Sequence, residues 1–325
     1  MRFLSLLKQA GTGSFRLAAA AMLGYGGNAQ NFNKQTADIF EVPPEFRIVQ
    51  PDQSGAEALV VAYMAEKGKY RELFTENVKP HVYVALHLFL DKFRGEFARD
   101  RYWLKRPGDL KKLPEWKRLE SIIKKSKFEY DIGKRTGHAK NYKMGPSTFR
   151  EATLKESEGS LNLTFDEALY YLTTYEELFP EILVLQAKIE EIIKRDRLLR
   201  NMFGHPRRFE RIITPGYLRE GISWVPQSTV GCITHEAYLK TYQFIRKEGL
   251  SWKLINNKHD SLAVMTRTEE SVECGRIVSG FMAKRMIGWD GTEFTMKSEV
   301  QIGRNFKKYD SETNPNGLQE VKYEN

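Results

Sequence analysis

Residues 130–149, YDIGKRTGHAKNYKMGPSTF, place Lys134, His138 and Tyr142 four residues apart. Read as a helix, each step of four advances about 6 Å and turns only ~40° past a full revolution, so the three side chains share one face. A cation, an imidazole and an aromatic ring then span roughly 12 Å, which is about the reach from the phosphates to the base of a nucleoside triphosphate. The plain alternative is a basic surface helix whose periodicity is incidental. The rest of the chain decides between the two.

The chain has 325 residues, 41% of them hydrophobic and 29% charged, which suits one large folded domain or two interleaved ones. A net charge of +9 and a pI near 9.3 favour a polyanionic partner. Cys232 and Cys274 form neither a zinc pattern nor a disulfide framework, so a reducing compartment is the simpler reading. Lys8 and Arg16 interrupt the apolar N-terminal run, which therefore lacks a signal-peptide core. The expectation is a cytoplasmic protein, not secreted. No stretch is long and apolar enough to span a membrane.

Along the chain, a Gly- and Asn-rich segment, GYGGNAQNFN, precedes a short strand at 46–50 and a helix at 58–67. Residues 68–200 carry helical patterns: an apolar helix at 81–94, a Lys/Arg-rich run at 99–127, and amphipathic helices at 165–178 and 182–202. Mixed structure returns after 206. A helix at 221–247 precedes strands at 252–256 and 261–266, joined by a tight turn at 257–260. A helix at 269–286 and an alternating strand at 297–302 follow, and the polar tail from Tyr309 reads as frayed.

Two carboxylates stand at strand junctions. Asp52 follows the first strand, and Asp260 sits in the hairpin turn after His259. Two such acids can meet at one sheet edge and hold two divalent metals about 4 Å apart. Hard Mg²⁺ suits oxygen ligands and keeps waters that phosphates replace. Each acid also has a plain role open to it, Asp52 as a helix cap and Asp260 as a turn residue.

With these motifs in order, the chain resembles the polymerase core of the family A DNA polymerases, the bacterial DNA polymerase I type, in a phage-like form. Asp52-Gln53-Ser54-Gly55-Ala56-Glu57 is similar to the family's D-Y-S-x-x-E. Lys134, His138 and Tyr142 match its K-x3-F-x3-Y, and His259-Asp260-Ser261 its H-D-E. Smaller matches include Thr12 to Arg16 (T-G-R with two extra residues), Gly27 to Asn31 (N-L-Q-N) and His81 (D-I-H). They continue with Gly204, Arg207 and Arg208 (G-R-R), with Arg219, Ser223 and Gln227 (R-x3-N-x3-Q), and with Glu299 to Phe306 (E-V-x-x-G-x-N-W).

The resemblance implies an α+β right-hand polymerase fold: an antiparallel palm sheet split in sequence, with a large helical fingers insertion. The palm would comprise 1–66 and 206–325, and the fingers 67–205. It implies a DNA-directed DNA polymerase that extends a primer 3′-hydroxyl with deoxynucleoside triphosphates. Asp52 and Asp260 would bind two Mg²⁺, and Lys134 would contact phosphate and act as a general acid on the leaving group. Glu57 would lie under the sugar and exclude a 2′-hydroxyl. His138, Tyr142 and Arg135 would complete the nucleotide site. Arg16, Gln30, Asn31, Arg219, Gln227 and His259 would contact primer–template DNA.

The sequence also departs from the family. Ser261 replaces a third acid, Tyr130 stands where a phosphate-clamping Arg is usual, with Lys127 or Arg135 as substitutes, and Lys143 replaces a Gly. Nothing upstream of the Arg16 segment would form a thumb or an exonuclease, which leaves two expectations: one part of a split polymerase, with a second polypeptide as partner to supply them, or a minimal core. Ser261 also fits a single-subunit RNA polymerase, against which Glu57 argues. A non-catalytic DNA-binding subunit of a split polymerase is the alternative from another class.

Overall fold

The structure is a computed structural model that describes residues 37–53, 55–96 and 106–323, with two short paired strands, β1 (Leu6–Lys8) and β2 (Ala18–Ala20). Strand β3 (Phe46–Asp52) leads into α1 (Ala56–Met64). A long helical section follows: α2 (Lys69–Thr75), α3 (Pro80–Leu88), α4 (Leu90–Phe93), α5 (Pro107–Lys111) and α6 (Trp116–Lys125). It continues through α7 (Lys127–Asn141), α8 (Pro146–Glu156), α9 (Phe165–Leu178) and α10 (Pro180–Asp196). The hairpin of β4 (Leu198–Arg200) and β5 (Pro206–Arg208) joins it to α11 (Pro215–Glu248). Then come β6 (Lys253–Lys258), β7 (Ser261–Arg267), α12 (Ser271–Met282), a hairpin of β8 (Lys284–Ile287) and β9 (Glu293–Met296), β10 (Glu299–Gly303) and β11 (Gln319–Val321).

The main sheet has the order β11-β10-β3-β7-β6, and each neighbouring pair is antiparallel. The strand read from the start of the chain is thus central, between two strands from its end. Period-two alternation sends Val49, Leu262, Val264 and Val300 to one face, where they pack with Cys274, Val278 and Met282 of α12. Ile48 and Ala263 face the other way, against Leu318, Val42 and Phe306. Pro51 has no N–H to give, and the β3–β7 register runs to Val49↔Val264 and resumes at Asp52↔Ser261.

Several boundaries differ from the sequence reading. The helix carrying Lys134 and His138 stops at Asn141, one residue short of Tyr142. Lys143 lies in the left-handed region at φ 57, and Pro146 opens α8. The expected helix at 182–202 ends at Asp196, and the one at 269–286 gives way at Ala283 to β8. The helix expected at 221–247 begins at Pro215, because the Thr214 hydroxyl accepts the Tyr217 N–H as an N-cap. The tail is not frayed. β11 pairs with β10, and the buried Asn305 and Asn314 amides bond each other at 2.8 and 3.1 Å. Local periodicity could not show these tertiary contacts.

Two devices hold the helical section to itself and to the β8–β9 hairpin. Buried Arg71 of α2 donates to the Ala62 and Ala65 carbonyls at the end of α1, and pairs with Asp290 of the β8–β9 turn at 2.6 Å. That pairing holds the Asp290 carboxyl well below its usual range. The second is the crossing of α3 and α7 at Gly133, where a Cβ would stand 2.6 Å from the His81 carbonyl and 2.9 Å from the Ala85 nitrogen. Only a residue without a side chain lets the backbones come this close. The crossing sets His81 edge-on to Tyr130, ring centroids 5.9 Å apart. Burial there, and then the charges of Lys134, Lys79 and His138, bring the His81 pKa down from 6.5 to about 4.

Two outcomes follow from this crossing. Gly133→Ala should lower stability by about 1–3 kcal/mol, since the obstructing atoms are backbone. An unchanged denaturant midpoint would show that the helices can part freely. For His81, the unfolded chain takes up a proton near pH 6.5 and the folded chain only near 4. The unfolded state therefore binds more protons in that window, and stability should fall as pH drops from 6.5 toward 4, by about 3 kcal/mol. His81→Gln should remove that part of the pH dependence, read from denaturation midpoints between pH 7 and 4.

Candidate active site

Asp52 and Asp260 do meet at one end of the sheet. Asp52 is the last residue of β3, opposite Ser261, the first residue of β7. The Asp260 carbonyl accepts the Gln53 N–H at 3.0 Å, so the two chain segments are joined next to both acids. Asp52 is not a helix cap, since the N-cap of α1 is Gly55. His259 and Asp260 form a two-residue turn between β6 and β7, and His259 is held at φ 47. A non-glycine residue in the left-handed region costs on the order of 1–3 kcal/mol, and such strain collects where surroundings impose a geometry.

Glu299 is the acid that motif reading missed as a site residue. It begins β10 and lies directly across from Asp52, on the other side from Ser261. Directly opposed residues project to the same face. Asp52, Ser261 and Glu299 therefore share the sheet face turned away from α12. The signal that could have found Glu299 is the pairing of the last alternating strand with the first, which is non-local. Among the described residues no group of three or more His, Cys, Asp or Glu forms a ready-made metal cage.

The α7 stripe is joined to α1, which follows β3, by a hydrogen bond. The Tyr142 hydroxyl donates to the Glu57 carboxylate of α1. His138 stands edge-on to the Tyr142 ring, centroids 5.0 Å apart. Lys134 is exposed on the same helix face. The end of α7 is fixed by a buried network: Tyr175 donates to Asn141 at 2.8 Å, and Asn141 donates to Tyr70 at 2.7 Å. Burial pushes the Tyr70 phenol up to about 12, so it stays neutral and serves as a hydrogen-bonding strut. Gln186 of α10 donates to the Lys140 carbonyl. Tyr142 follows directly on residues anchored to α2, α9 and α10.

The other sequence-predicted residues divide. Arg219, Ser223 and Gln227 form a stripe on α11 and line, with Tyr142 and Thr148, a cleft of 470 Å³. Arg135 is turned away into an ion pair with Glu156 of α8 at 2.6 Å. Lys127 lies seven residues before Lys134, about 10 Å along the helix. Arg16, Gln30 and Asn31 lie outside the described residues, as does part of the basic run 99–127. In the described part of that run, Lys112, Arg118 and Lys124 are paired with Asp109, Glu96 and Glu120. Among the described residues, no helix is long and apolar enough to cross a membrane.

In chemical terms, oxygen donors at the sheet end are hard ligands suited to a divalent cation such as Mg²⁺. Lys134 and His138 lie on one face of α7, and Tyr142, just past its end, joins His138 to Glu57. No family model matches the chain, and no curated protein does. Among solved structures it is similar to the POL domain of Pol1 from M. smegmatis, determined in complex with DNA primer-template and dNTP. The TM-score is 0.66 and the identity 16%, over 93% of this chain and 47% of that one. The chain thus spans about half the length of that neighbour. The likeness is one of fold: this is an α+β core of polymerase-domain type, an antiparallel sheet interrupted in sequence by a long helical insertion.

Proposed function

We propose that the chain is the palm-and-fingers core of a DNA-directed DNA polymerase of the family A type, with 1–66 and 206–325 as palm and 67–205 as fingers. The observation that carries this reading is the Tyr142–Glu57 bond, which brings the α7 stripe to the sheet end bearing Asp52 and Asp260. In this reading the stripe takes a nucleotide lengthwise. The base and sugar lie at Tyr142 and Glu57, and the phosphates lie toward Lys134. Glu57, held by Tyr142, sits where it obstructs a 2′-hydroxyl.

Asp52 and Asp260 would hold Mg²⁺, which when bound supplies charge stabilisation at the reacting phosphate and oxygens. In the reaction the primer 3′-oxygen bonds to the α-phosphorus and the bond to the β-phosphate oxygen breaks. Pyrophosphate leaves, and Lys134 is placed to give a proton to it. Arg219 and Gln227 would line the path of the primer–template beside Tyr142. Ser261 favours the RNA polymerase alternative, but a carboxylate at Glu57 leaves little room for a ribose.

The test is extension of a labelled primer–template with Mg²⁺, comparing deoxy- with ribonucleotides. Deoxynucleotide addition is expected, and none at all, with or without added partner polypeptides, would refute the enzyme reading. Asp260→Ala should reduce addition roughly a thousandfold or more while DNA binding persists. Undiminished turnover in that variant would remove the metal-holding role. Glu57→Ala should weaken rejection of ribonucleotides by roughly tenfold or more, and an unchanged ratio of kcat/KM values would remove the gate role.

A further inference from the structure

Tyr130 leaves a charge problem at the phosphate end of the α7 stripe. Its phenol is partly buried and its pKa raised, by burial first and then by Asp131 and Glu120, so it stays neutral, and a phenol has no positive charge to offer in an arginine's place. Arg135 is spent on Glu156, and His81 is neutral near pH 7. Lys134 would then face the triphosphate with no second cation from α7.

The α3–α7 crossing supplies one. Gly133 meets the His81 backbone, and Tyr130 meets the His81 ring, so the first turn of α3 lies across α7 beside Lys134. Lys79 is the N-cap residue of that turn. It is exposed, and no acid partners it or Lys134 among the described residues. Its charge is close enough to act on the His81 ring together with those of Lys134 and His138. Uncompensated cations converging from two rigidly crossed helices repel one another, and an anion between them relieves that repulsion.

We propose that Lys79 is a phosphate-binding residue of the nucleotide site, closing with Lys134 and His81 around the end of the triphosphate that Tyr130 leaves without a cation. This deepens the polymerase reading above and rests on it for the identity of the ligand. The cluster by itself specifies an anion, and the polymerase reading makes that anion a triphosphate. A lysine ammonium serves as a point charge here, without the bidentate geometry an arginine would bring.

The experiment measures binding of inorganic tripolyphosphate to the full chain by calorimetry, and steady-state primer extension with varied deoxynucleotide. Lys79→Gln should weaken tripolyphosphate binding and raise KM by roughly tenfold, with kcat within about twofold, and Lys79→Arg should restore most of both. Lys247→Gln, at the far end of α11, should change neither. Wild-type affinity and KM in Lys79→Gln would overturn the assignment. A fall in kcat with unchanged KM would also overturn it, by pointing to a structural role. A wild-type chain that binds tripolyphosphate but adds no nucleotide even with added partner polypeptides would refute the polymerase reading, and the tripolyphosphate affinities would still decide Lys79. A wild-type chain that does not bind tripolyphosphate would overturn the assignment outright.

Discussion

The antiparallel register of β3 between β7 and β10 is the constraint on which the site depends. A strand has a side-chain period of two, so a slip of one residue would turn Asp52 into the helical face and Val49 out of it. The apolar set of Val49, Leu262, Val264 and Val300 against α12 prevents that slip. The same burial that stabilises the sheet therefore aims Asp52, and with it Ser261 and Glu299, at the opposite face. Pro51 interrupts the ladder next to the acid, and the Gln53–Asp260 bond closes it again.

The helical half meets this sheet end by a chain of close contacts. Gly133 lets α7 rest on α3, and the Tyr175–Asn141–Tyr70 bonds anchor the last turn of α7. Tyr142 is then carried to Glu57 by residues that are all buried or paired. A network of satisfied polar groups in a buried setting is rigid, because each lost bond exposes an unsatisfied partner.

Two positions accept backbone strain to make this geometry. Lys143 occupies a left-handed position where a glycine would be free of strain, and an ion pair to Glu190 of α10 partly offsets the cost. His259 does the same in the β6–β7 turn beside Asp260. Both flank the residues assigned to chemistry. Asn77, Glu158 and Arg197 take the same left-handed conformation away from the site, so strain of this kind is not confined to it.

The sequence by itself determined the strand that leads to Asp52, the hairpin whose turn holds Asp260, the helix that carries Lys134 and His138, and the helical insertion between them. These are local patterns, with periods of two and 3.6 that a short window contains. It also carried the spacing of Arg219, Ser223 and Gln227 along one face of α11. Only the tertiary structure decided that Glu299 stands beside Asp52, that Arg135 turns to Glu156, and that the first turn of α3 lies on α7. Each of those depends on a partner far away in the chain. Pairing between strands and crossing between helices are chosen by burial of the whole core, which no window of sequence contains.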